Sequence, residues 1–201
     1  MQIKKIFNYI DNFKIIKKFI KENKKYFNKV DDNFDEIILL EVNDMYSSII
    51  SYSLISNFLS KKYSAKIVGY NVYKKKFFKK LLNKFLPTTL PKIYNSFGVN
   101  EIIDIEKIKT NNKNKYFVKS KKDLVHLMVG GIRVGDLIYD SYLRQRLKST
   151  IDLNSKEFQE FFIKSLEKFF FWKSYFDNNK VKAVISSHTV YDLGFPIRIA
   201  V

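Results

Sequence analysis

Two hydrophobic periods alternate along this chain, and their order predicts the fold. From residue 3 to about 29, Ile3, Ile6, Phe7, Ile10, Phe13, Ile16 and Ile20 recur every three or four positions, the spacing of one helix face. Glu36 to Val42 is instead a short apolar run bounded by polar residues, the mark of a buried parallel strand. Met45 to Ser60 returns to helical spacing, with Ile49, Ile50, Leu54, Ile55, Phe58 and Leu59 apolar. Ala65 to Tyr70 is a second strand. This strand–helix–strand run has the length of a right-handed βαβ unit. Further on, Lys74 to Leu86 reads as a helix stopped by Pro87, and Pro91 opens a short helix that Gly98 ends. Glu101 to Ile105 is a third strand. Residues 106–122 are polar and lysine-rich, a surface loop or insertion. Asp123 to Val129 reads as a short helix. Asn154 or Ser155 caps a long aromatic helix running to about Asp177, its apolar residues on more than one face and so expected to be largely buried. Val181 to Ser187 is a fourth strand, and Asp192 to Val201 begins a last helix.

The order βαβαβ, insertion, αβα predicts an α/β fold with a doubly wound, mostly parallel, Rossmann-like sheet. It divides the chain into a basic amphipathic helix over 1–30 and an α/β domain over 36–201. The chain stops inside an apolar helix-like run at Ala200-Val201, so the domain is expected to continue beyond it.

Composition changes this picture in two ways. Hydrophobic residues make up 46% of the 201, which excludes disorder by composition. There is no cysteine, which excludes disulfides and thiolate metal sites and suits a cytoplasmic location. No run approaches the roughly 20 apolar residues of a membrane span. The net charge of +17 invites a nucleic-acid reading. The charge is almost all lysine spread along the chain, however, and arginine, the residue of base readout, occurs only four times. No nucleic-acid-binding signature is present, so nucleic acid is not the expected partner. The lysines of the first helix fit two alternatives. The helix lies on an anionic membrane face, giving a peripheral location, or it packs on the domain with a solvated lysine face.

Chemistry concentrates in Gly130–Arg144. Three of six glycines and two of four arginines fall there, among Asp136, Asp140, Tyr139 and Tyr142. Glycine permits positive φ and close backbone approach, and arginine forks grip phosphate or carboxylate. The alternative is a glycine turn followed by a helix, with Asp140 and Arg144 as an ordinary i,i+4 pair worth about 0.3–0.5 kcal/mol.

Three stretches together resemble bacterial surface or capsule polysaccharide biosynthesis proteins, glycosyltransferases of the GT-B type: Glu41-Val-Asn-Asp-Met-Tyr-Ser-Ser, Gly131-Ile-Arg-Val-Gly-Asp-Leu-Ile-Tyr-Asp-Ser-Tyr-Leu-Arg144 and Val181-Lys-Ala-Val-Ile-Ser-Ser-His-Thr-Val-Tyr191. The resemblance covers residues 36–201. It implies the N-terminal, acceptor-side half of a two-domain enzyme. The partners would be a saccharide or lipid-linked acceptor and a nucleotide-sugar co-substrate, whose site belongs to the missing C-terminal half. No other cofactor is implied. This fragment alone is expected to be inactive.

Open α/β sheets bind ligands beyond the carboxyl ends of their strands. Glu41 and Asp44 after the first strand, and His188 after the fourth, are therefore the candidate catalytic residues, since a carboxylate or an imidazole can take the acceptor's proton. The alternatives are an Asn43 or Asp44 helix cap and a strand-end histidine. Asn43, Gly131, Arg133, Asp136, Tyr139, Asp140, Tyr142 and Arg144 are the candidate substrate residues. The arginines would neutralise a phosphate, the aspartates orient a hydroxyl, and Tyr139 and Tyr142 stack on a sugar ring. His126 reads as structural. Walker, HExxH, GxSxG and EF-hand patterns are absent, Gly130–Gly135 is not GxGxxG, and nothing implies a metal. A second function class stays open: a non-catalytic basic module for RNA or anionic membrane.

Overall fold

The computed structural model describes residues 2–27, 34–71, 90–105, 116–187 and 189–201. The helix expected over 74–86, most of the loop expected over 106–122, and His188 lie outside the described residues. The chain divides into two compact units, Met1–Glu106 and Lys107–Val201, each α/β in its described residues.

The first unit is built on a parallel sheet. Strand β1 (Glu36–Glu41) pairs with β2 (Ala65–Asn71) in unbroken register from Glu36 opposite Ala65 to Glu41 opposite Tyr70. Strand β3 (Val99–Asp104) joins the other edge of β2, also parallel, with an irregularity between Ile67 and Val68. Parallel strands covered on both faces need continuous apolar runs, and Ile37, Ile38, Leu39, Leu40 and Val42 are all buried. At Gly69 a methyl group would meet Val42 Cγ2 at 2.9 Å and Ile102 Cγ1 at 3.1 Å, so these side chains would have to shift to admit one.

Helix α1 (Gln2–Phe27) packs its C-terminal half against the short helix α3 (Leu90–Ser96) and the residue after it. The Phe19 and Phe27 rings lie 5.7 and 5.2 Å from that of Phe97, and Asn23 Nδ2 donates to Ser96 Oγ. Lys14, Lys17, Lys18, Lys21, Lys24 and Lys25 stay exposed. Residues 13–27 thus contact the first unit on one side and expose their lysines on the other.

Helix α2 (Tyr46–Tyr63) lies against β1 and β2, but on a mostly polar face. Its buried positions are Ser48, Ile49, Ser53, Ser56, Asn57 and Ser60, while Ile50, Leu54, Ile55 and Phe58 are exposed. Several of the buried polar groups find local partners, while Ser53 Oγ is buried without one. Asn57 Nδ2 donates to the carbonyls of Ser53 and Phe97, and Ser60 Oγ donates to that of Ala65. Small side chains let the helix backbone approach the sheet closely, and each hydrogen bond offsets the desolvation of its group.

The second unit begins with helix α4 (Lys121–Val125), capped by Ser120 Oγ accepting from the Asp123 N–H. The short helix expected over 123–129 thus lies slightly earlier, and the hairpin β4 (Met128–Val129) and β5 (Ile132–Arg133) takes up the end of that span. Helix α5 (Gly135–Arg146) comes next, then α6 (Lys156–Asn178), strand β6 (Lys180–Ile185), a 3-10 turn (Asp192–Gly194) and α7 (Phe195–Ala200). Ser155 caps α6, its Oγ accepting from the Phe158 N–H. The helix buries one face (Phe158, Phe161, Phe162, Leu166, Phe169 and Trp172) and leaves Ile163 exposed, so it is amphipathic rather than buried all round.

Gly69→Ala is expected to lower the stability of the first unit by about 1–3 kcal/mol, the usual cost of overpacking a tight core. Urea unfolding of the variant checks this; an unchanged midpoint would mean that the sheet relaxes around the methyl group.

Candidate functional site

The two units carry separate groups of candidate residues. In the first unit they lie at the carboxyl end of β1. Glu41 is fully buried and Asp44 is exposed. Neither Asn43 nor Asp44 caps α2, whose N-cap is Met45 without a side-chain bond. Asn43 instead shapes the loop itself, its Oδ1 accepting from the Met45 N–H at 3.2 Å. The loop backbone is pinned by Tyr94. The Asn43 N–H donates to Tyr94 Oη at 3.1 Å, and Tyr94 Oη donates to the Asn43 carbonyl at 3.2 Å. Asn43 Nδ2 is buried without a hydrogen-bond partner. Burial pushes the Tyr94 phenol up to about 12. The Asn43 N–H bond pulls it down, and the negative charges of Glu41 and Asp44 push it up.

In the second unit the Gly130–Arg144 stretch splits into parts with different duties. Gly130 and Gly131 have φ of 58° and 81° and close the two-residue turn of the β4–β5 hairpin. Two positive φ values in succession are what a type I′ turn demands, so these glycines are explained by the turn. Gly135 is explained by close packing, since a methyl group there would overlap the Leu124 carbonyl. Arg133 is drawn into the fold, its Nε donating to the Val125 carbonyl at 3.1 Å. Asp136 Oδ2 accepts from Arg198 at 3.1 Å, and Arg198 also donates to the Arg133 carbonyl. Tyr142, expected to stack on a sugar, is buried between Phe158 and Phe161 with its hydroxyl donating to Glu157. Tyr139 is half-buried.

What remains at the surface is an open depression of about 500 Å³ lined by Asp140, Leu143, Arg144, Val190 and Tyr191. The Arg144 guanidinium lies over the Tyr191 ring, 4.4 Å from its centroid. Asp140 does not pair with Arg144: among the described residues the exposed carboxylate has no ion-pair or hydrogen-bond partner. Helix α5 thus presents one free anion and one aromatic-backed cation a turn apart.

Tyr191 itself had no place among the expected site residues. Its backbone has φ 63° and ψ −176°, a region populated essentially by glycine. The neighbouring residue holds it there. Asp192 is buried, its N–H donates to Ser141 Oγ at 2.6 Å, Ser141 Oγ donates to its Oδ1 at 3.3 Å, and Lys168 donates to its Oδ2 at 2.9 Å. A buried ion pair held by two further hydrogen bonds over-determines the turn and forces the strain onto the residue before it. Strain of this kind collects at binding sites. No sequence signal marks it, because tyrosine is an ordinary residue until its φ is known.

Among the described residues no cluster of His, Asp and Glu has metal-binding geometry. No helix there is long and apolar enough to cross a membrane. Comparison with protein-family models, curated proteins and solved structures finds no match for this chain.

Two measurements check these local arguments. Tyr94 is protonated more firmly in the folded than in the unfolded chain, so its contribution is complete below pH about 10 and lost as pH rises through about 12, a change of roughly 2–3 kcal/mol. Wild type should lose that much stability relative to Tyr94→Phe over this window in pH-dependent urea unfolding. At position 191 the usual ranking of substitutions should invert. Tyr191→Gly relieves the strain that Tyr191→Ala keeps, so the glycine variant should be the more stable of the two by about 1 kcal/mol. An alanine variant equal to or more stable than glycine would show that the backbone relaxes to negative φ.

Proposed function

We propose that this chain is the acceptor-side α/β part of a GT-B-type glycosyltransferase that builds bacterial surface polysaccharide, of capsule or O-antigen kind. It would move a sugar from a nucleotide-activated donor to an acceptor hydroxyl. Three things support the reading: the resemblance of residues 36–201 to such proteins, the parallel α/β sheet of the first unit, and the depression on α5. The observation that carries it is the unpaired, exposed carboxylate of Asp140 beside the Arg144–Tyr191 pair. Saccharides bind through hydroxyls that need both donors and acceptors and through C–H faces that need apolar surface. Asp140 supplies the acceptor, Arg144 the donors, and Leu143, Val190 and the Tyr191 ring the apolar wall.

In this reading the acceptor is a saccharide or its lipid-linked form. Its nucleophilic hydroxyl bonds to the donor's anomeric carbon and loses a proton to a base, as the sugar–phosphate bond breaks and the nucleotide leaves with the bonding electron pair. His188 is the proposed base, with Asp44 as the exposed alternative. Glu41 is fully buried and less suited to that step. The nucleotide-sugar site belongs to a second Rossmann-like domain, which the proposal places outside these residues.

Ligand-observed NMR of the chain against a panel of mono- and disaccharides tests the acceptor site. Binding is expected, weakened at least about tenfold by Asp140→Asn and by Arg144→Ala, each removing a charge-assisted hydrogen bond worth about 1.5–3 kcal/mol. Saccharide binding that both variants retain in full would move the acceptor site elsewhere. No binding across the panel would remove the support for a carbohydrate enzyme.

A further inference from the structure

Helix α2 is oriented against its own hydrophobicity. Tyr46, Ile50, Leu54 and Phe58 fall four residues apart and form one ridge, and they are 66%, 43%, 47% and 67% exposed. Ile55 widens the ridge at 47%. The buried face is occupied by four serines, Asn57 and a single large apolar residue, Ile49, so the ridge is not a margin of the core. It is a separate apolar surface on the outside of a helix that already packs its other face on the sheet.

Charge decides what covers it. Helix α2 contains no acidic residue, and Lys61 and Lys62 stand exposed at its C-terminal end. In the same unit, α1 exposes six lysines between Lys14 and Lys25. The whole chain carries +17. A second copy seated on the ridge would bring a second charge of the same sign, and like charges oppose association. An anionic lipid surface offers the complementary pair, an apolar boundary under negative headgroups. Tyr46 and Tyr63 mark the two ends of the helix, and tyrosine is enriched where apolar and wet environments meet.

We propose that α2 is an interfacial helix that seats residues 1–106 on an anionic lipid surface. The Ile50–Leu54–Phe58 ridge enters the headgroup–acyl boundary, and Lys61 and Lys62 stay at the level of the phosphates. The inference does not rest on the saccharide site, which is argued from residues of the other unit.

Sedimentation of the full chain with vesicles of phosphatidylcholine alone, and of phosphatidylcholine with about one third phosphatidylglycerol, tests it at low and high salt. Partition to the anionic vesicles is expected, and Leu54→Ser/Phe58→Ser should weaken it at least about tenfold. Both side chains are exposed, so the variant's circular dichroism and urea midpoint should match wild type. The cysteine-free chain also allows a single environment-sensitive dye at Phe58→Cys, which should shift to the blue on anionic vesicles only. The proposal is overturned if the double variant partitions like wild type, because lysines alone would then hold the chain. It is equally overturned if wild type ignores vesicles, or if the ridge instead forms a concentration-dependent dimer that the double variant abolishes.

Discussion

The parallel ladder between β1 and β2 is the constraint on which the first unit depends. A parallel pair cannot be closed by a tight turn, so the chain between the strands must cross over and cover the sheet. Helix α2 does this, and the fully buried run Ile37–Leu40 sets how closely it must lie. Close approach favours small residues on the inner face, and the serines and Asn57 supply them, with the Ser56 and Ser60 hydroxyls and the Asn57 amide bonded to nearby carbonyls. The bulky residues of the helix are displaced outward as a consequence. The sheet that makes the core thus also produces the exposed ridge.

The second unit shows a comparable displacement of strain. Asp192 is fixed from three directions by Ser141 and Lys168. Removing one partner of such a pair costs several kcal/mol, more than the roughly 1–3 kcal/mol stored in one unfavourable backbone conformation. The chain therefore tolerates Tyr191 in a glycine-like geometry. Its ring is placed against Arg144, at the edge of the depression that holds Asp140.

These arrangements were unequally legible in the amino-acid sequence. The strands at Glu36 and Ala65 and the helix capped at Ser155 were readable because continuous apolar runs and capping chemistry are local. The facing of α2 was not. Its apolar residues spread around the helix, and only the proximity of the sheet selects the serine side. Of the candidate site residues, Gly131 and Arg133 were conspicuous for their residue types, yet hairpin geometry and a backbone hydrogen bond account for them. Tyr142 carries the same residue type as a sugar-stacking ring and is core, because Phe158 and Phe161 close over it from a helix that begins 14 residues later. Asp140 and Arg144 were readable as a pair. That they part, one turning to Tyr191, depends on a residue nearly fifty positions away.

Trp172, fully buried within the second unit, is the only tryptophan in the chain. Its emission is therefore an optical label that nature has placed on residues 107–201 alone. Far-ultraviolet dichroism, in contrast, sums the helices of both units. A melt followed by the two signals together would distinguish one cooperative transition from two, without any labelling chemistry.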